Sequence, residues 1–127
     1  MAQLTLHHIH HEAADVDLAA QFYVDNFDAE ISQRFERDGV QWARVTLAGA
    51  MLNITDRANT DVALSTYRGF DHIGIHTSDF DETIARLRAN GVAFYIEPKS
   101  PTPGVQMTFV SGPDNVKIEV LSIAEAR

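Results

Sequence analysis

Apolar residues recur at helical spacing in two places along the chain. Val16, Ala20 and Tyr23 form one stripe at i, i+4, i+7, and Phe80, Ile84 and Leu87 form a second, so each stretch presents one face of an amphipathic helix. The second is better punctuated: Asp79 followed by Glu82 predicts a capping box, and Asn90-Gly91 predicts the stop. Phe22 and Tyr23 fit the apolar face and are read as core. After each helix the period falls to two. Residues 29–37, 40–48 and 50–55 read as three strands with turns at Asp38-Gly39 and Ala48-Gly49, and residues 92–97, 105–111 and 116–122 read as three more. The last three are separated by a loop from Pro98 to Gly104 and by Gly112-Pro113-Asp114. Pro101-Thr102-Pro103-Gly104 reads either as a mobile loop at a cavity mouth or as a plain hairpin connection.

The two halves are copies. "HIHHEAADVDLAAQFYVDNF" from His8 aligns with "HIGIHTSDFDETIARLRANG" from His72 at an offset of 64 residues, matching His8 with His72, Ile9 with Ile73, Asp15 with Asp79, Asp17 with Asp81 and Asn26 with Asn90. An internal repeat of this kind means one supersecondary unit used twice. Each unit is a βαβββ module, over residues 4–56 and 69–122, within a single α+β domain of residues 1–127. A polar connector of about fourteen residues, 56–69, joins them.

Composition narrows the function. The 127 residues are 45% hydrophobic, enough for a core of one domain's size. There is no cysteine, so disulfides, thiolate nucleophiles and Cys-type zinc sites are excluded, and any metal is held by His, carboxylate or amide groups. Eighteen acids against ten lysines and arginines give a net charge of −8, which argues against nucleic acid. No apolar run reaches membrane-spanning length and no secretory leader opens the chain, so no membrane partner and a cytoplasmic location are expected. Neither a Gly-rich phosphate cradle nor a Gly-x-Ser-x-Gly nucleophile elbow occurs.

Four of the six histidines, His7, His8, His10 and His11, crowd into five positions. The cluster is broken by Ile9 and has no flexible padding, unlike an affinity tag. On a strand, side chains two apart share a face. His8 and His10 therefore belong together, whereas His7, Ile9 and His11 face the helix layer or solvent. By the same parity Gly74 and His76 share the face of His72. Trp42 and Arg44 alternate on one strand face and either reach a bound acid or decorate an exposed strand.

With "HHI" opening the first module, "DHIGI" the second and "GPDNVKIEVL" closing the chain, the sequence resembles the vicinal oxygen chelate superfamily. That family includes glyoxalase I, methylmalonyl-CoA epimerase, extradiol dioxygenases, fosfomycin-resistance transferases and metal-free bleomycin-resistance proteins. The resemblance implies that the two tandem modules form the curved open-barrel glyoxalase-like sheet, with a divalent metal in its concavity. It also implies that His8, His72 and Glu119 are the metal ligands, with Asn53 at the fourth place, where glyoxalase I has glutamate and the epimerases glutamine. Two imidazoles and a carboxylate make a 2-His-1-carboxylate set suited to Fe, Ni, Co, Mn or Zn with positions left open. An amide is a poor ligand for such metals, so Asn53 is expected to bond bound water or substrate instead.

The expected activity is that of a metal-dependent lyase or isomerase acting on a small molecule chelated through adjacent oxygens. Glu119, His10 and His76 are its candidate catalytic groups. An Fe(II) dioxygenase and a metal-free binding protein are the alternatives. A homodimer is expected, with modules paired within one chain or swapped between two.

Overall fold

The structure is a computed structural model that describes Gln3 and residues 7–57 and 72–124. Most of the 56–69 connector, and parts of both module ranges, lie outside those residues. The chain divides into two compact units, residues 1–64 and 65–127.

The first unit runs β1 (Ile9–Glu12), α1 (Val16–Phe27), β2 (Glu30–Arg37), β3 (Val40–Leu47), β4 (Ala50–Thr55). Its sheet order is β1-β4-β3-β2, with β1 parallel to β4 and the other pairs antiparallel. The second unit repeats this as β5 (Ile73–His76), α2 (Phe80–Ala89), β6 (Phe94–Lys99), β7 (Val105–Ser111), β8 (Lys117–Ile123), in the order β5-β8-β7-β6. Both are the βαβββ modules that the periodicity predicts. The first helix carries the chain back so that its opening strand pairs with its last.

Local chemistry sets the boundaries. Asp15 caps α1 by accepting from the Leu18 amide at 3.0 Å, and Asp79 caps α2 by accepting from Glu82 N at 3.1 Å. Only this half of the predicted capping box forms: the Asp79 amide donates to Thr77 Oγ1 at 3.1 Å instead of to Glu82. The two-residue hairpin turns carry positive φ at Asp38 and Gly39 and at Ala48 and Gly49, the type I′ geometry that suits strand twist. Residues 101–104 connect β6 to β7, with Thr102 O accepting from Val105 N and Gly104 O from Ala124 N. The segment is a hairpin connection between antiparallel neighbours. Pro98 is tolerated because β6 is an edge strand.

One face of each sheet carries the helix. In the first unit Ala43, Val45, Leu47, Leu52 and Ile54 are buried with Val16, Ala19, Ala20 and Tyr23 of α1. In the second, Ile75, Val110, Ile118 and Val120 are buried together with Phe80 and Leu87 of α2. Each such side chain contributes about 1.5–3 kcal/mol when fully buried. The opposite faces mix polar residues with apolar ones, Phe35 and Trp42 in the first unit and Phe109 in the second, and His10, Asn53 and Glu119 lie there. Among the described residues, no helix is long and apolar enough to cross a membrane.

Candidate functional site

On β1, parity separates His10 from His11 as expected. His11 is buried, its ring 6.3 Å from that of Tyr23 on α1 in an edge contact. His10 points to the other face. There His10 stands opposite Asn53, Asn53 opposite Arg44, and Arg44 opposite Gln33, one from each strand of the sheet. His8 lies one residue before β1, exposed, with its Nδ1 2.9 Å from His7 Nδ1.

His10 is held from two sides. Its Nε2 is 2.8 Å from Glu12 Oε1 and 2.7 Å from Thr55 Oγ1, and Thr55 Oγ1 donates to the same Glu12 oxygen at 2.6 Å. Arg57 also reaches that carboxylate, at 3.4 Å. Trp42 closes on the His10 ring edgewise, with centroids 5.7 Å apart, and stacks on Phe35 at 5.5 Å and 11°. Sequence reading missed Glu12, Thr55 and Phe35. The signal was available, since Glu12 is two residues beyond His10 and Thr55 two beyond Asn53, and each pair shares a sheet face.

Asn53 is 7% exposed, and its Oδ1 is buried with no hydrogen-bond partner among the described residues. A buried carbonyl left without a donor costs about 1–3 kcal/mol. It marks a place where a water or ligand donor fits.

In the second unit His72 and Glu119 come together. His72 Nε2 lies 3.4 Å from Glu119 Oε1, and the His72 ring meets Phe109 edge-on at 5.0 Å. Gly74 pairs with Glu119 across the parallel strands, and a Cβ at Gly74 would sit 3.9 Å from Glu119 Oε1. Where the first module has the His10 ring, the second has no side chain beside its carboxylate. His76 is exposed and its Nε2 accepts from the Ile123 amide at 3.5 Å, so it is tied to the far end of β8. Among the described residues, no group of three or more His, Asp or Glu side chains forms a ligand cluster.

Comparison with known proteins gives a consistent picture. A sequence-family model described as the Glyoxalase/Bleomycin resistance protein/Dioxygenase superfamily matches residues 5–120. A search of curated protein sequences gives no match. Among solved structures, a glyoxylase/bleomycin resistance protein/dioxygenase domain from Frankia sp. EAN1pec superimposes with TM-score 0.82 at 22% identity, covering 99% of this chain and 96% of that one. The fosfomycin resistance protein FosX of Listeria monocytogenes gives 0.78 at 20% identity, covering 95% and 94%. Glyoxalase I of Leishmania major gives 0.75 at 21%, covering 94% and 87%.

Proposed function

The chain belongs to the glyoxalase/bleomycin resistance protein/dioxygenase superfamily, and we propose that within it the protein is a metal-dependent lyase or isomerase of the glyoxalase type. Its substrate is a small molecule chelated through two adjacent oxygens. The observation that carries this reading is the His72–Glu119 pair, an imidazole nitrogen and a carboxylate oxygen 3.4 Å apart beside Gly74, which puts no side chain there. Two ligands that each bind one ion at about 2.1 Å lie no more than about 4.2 Å apart, so the pair fits a shared divalent ion. His8 would supply the second imidazole, and Asn53 would bond water or substrate through its buried Oδ1.

A bound Fe, Ni, Co, Mn or Zn ion would supply Lewis-acid polarisation of the oxygens it holds. The chain's own groups would do the rest. Because Glu12 accepts from His10 Nε2, the hydrogen bond favours the tautomer protonated at Nε2 and leaves Nδ1 as the basic nitrogen. His10 is thus suited to take up a proton at Nδ1. Glu119 is the second candidate base, and His76, tied to the Ile123 amide, is the third.

One observation favours a second reading, an Fe(II) dioxygenase. Asn53 is an amide where a carboxylate, as fourth ligand, would complete a glyoxalase I set, and three ligands with open positions also suit oxygen chemistry. A metal-free binding protein is the third reading. We also propose that the protein works as a homodimer, which light scattering tests directly.

The metal is tested by elemental analysis of untagged protein. About one equivalent of metal per chain, falling to near zero in Glu119→Ala, is expected. Full metal content in that variant contradicts the assignment.

A further inference from the structure

The β2 edge of the first module carries an open cleft of about 350 Å3 lined by Gln33, Arg34, Phe35, Arg37 and Arg44. That is the size of a small-ligand site. Three of its five lining residues are arginines, in a chain of net charge −8.

Their charges are not equally committed. Arg34 holds both carboxylate oxygens of Asp17, at 2.6 and 3.2 Å. Arg37 and Arg44 have no carboxylate partner among the described residues. Instead each places its guanidinium carbon 5.4 Å from the centroid of the Phe35 ring, a cation–π distance. Glu12, the carboxylate on the same face, is already engaged by Thr55, His10 and Arg57.

Arg44 is aimed as well as charged. Its Nη1 donates to Gln33 Oε1 at 2.8 Å, which fixes the fork, while its Nε is buried without an acceptor among the described residues. Beside it, as its partner across the strands, Asn53 buries an Oδ1 without a donor. The Arg44 Nε, a buried donor without an acceptor in a residue that lines the cleft, is what a bound polar ligand would complete. A carboxylate matches the guanidinium fork. A hydroxyl or water next to it matches the Asn53 oxygen. Phe35, stacked on Trp42, is the apolar residue of the lining and offers contact to the body of a planar molecule.

We propose that this cleft binds the carboxylate of a small planar acid, with Arg44 and Arg37 holding the anion and Gln33 holding Arg44. As the anchor of the substrate the site rests on the function proposed above. As a binding site it stands on the first module alone.

The test therefore uses chelator-stripped full-length protein, and its probe is Trp42, the single tryptophan of the chain. Benzoate should quench Trp42 fluorescence saturably, and the neutral isostere benzamide should not. Arg44→Lys keeps the charge but loses the fork, and should weaken benzoate about tenfold or more. Exposed Arg37→Gln should weaken it severalfold while leaving the far-UV circular dichroism unchanged. Equal binding of benzamide, equal binding of inorganic phosphate, or unchanged benzoate affinity in both variants overturns the proposal. Because no metal is present, none of these results depends on whether the metal site is correctly assigned.

Discussion

Asn53 and Glu119 occupy equivalent register positions in the two modules. Asn53 pairs with His10, two residues after His8, and Glu119 pairs with Gly74, two residues after His72. One duplicated position thus carries an amide in one copy and a carboxylate in the other. The neighbour across the strand differs as well, a histidine in one and no side chain in the other.

The metal-ligand assignment predicts a clean division among the histidines. His72→Ala, Glu119→Ala and His8→Ala should each remove tight stoichiometric metal, whereas His7→Ala and His11→Ala should keep it. His11→Ala should instead lower stability by about 1–3 kcal/mol, since the ring is buried against Tyr23. Elemental analysis and denaturant unfolding of the same five variants check both halves.

Asn53→Glu should raise affinity for Ni(II) or Zn(II), because an anionic oxygen replaces a neutral one at the position equivalent to Glu119. Competition with a chromophoric chelator measures it. A lower affinity with circular dichroism unchanged would mean that residue 53 does not face the metal.

Asp79→Ala should cost about 1 kcal/mol, the usual loss for an N-cap whose side chain accepts from the helix. Asp81→Ala, in the same first turn but outside the cap, should cost no more than roughly 0.3–0.5 kcal/mol. Thermal unfolding of the two variants should keep that order.

Acid stability carries one identifiable contribution. Hydrogen bonds from Arg34, with its charge, hold the Asp17 carboxyl below the usual carboxylate range. The sign is that of a depressed acid: the pair stabilises the fold above the unfolded carboxylate pKa of about 3.9 and ceases to do so as pH falls through the lower folded value. Asp17 is exposed, so the effect is small. Asp17→Asn should flatten the stability profile slightly below pH 4 and leave its shape above about pH 5 unchanged.

The architecture was legible because two periods alternate cleanly, 3.6 at Val16-Ala20-Tyr23 and two through the strands, and because the repeat fixes which strand ends correspond. Parity also placed His10 opposite the helix and His11 beneath it. Less legible was everything that depends on cross-strand pairing. Glu12, Thr55 and His10 meet only because β1 lies parallel to β4, a neighbour 43 to 45 residues away in sequence. The Phe35–Trp42 stack needs the β2–β3 register, which a shift between Ile31 and Gln33 resets. Similarly, the capping box predicted from Asp79 and Glu82 is half formed because Thr77, outside the motif, supplies the other bond.

The central claim is metal-dependent proton transfer, and one measurement tests it most directly. Metal-loaded protein is incubated under argon in deuterated water with small α-oxo compounds, and exchange at the carbon next to the carbonyl is followed by NMR. Metal-dependent exchange that is indifferent to oxygen and lost in Glu119→Ala is the predicted result. Silence under argon, with oxygen consumed only when Fe(II) and His72 are both present, would contradict it.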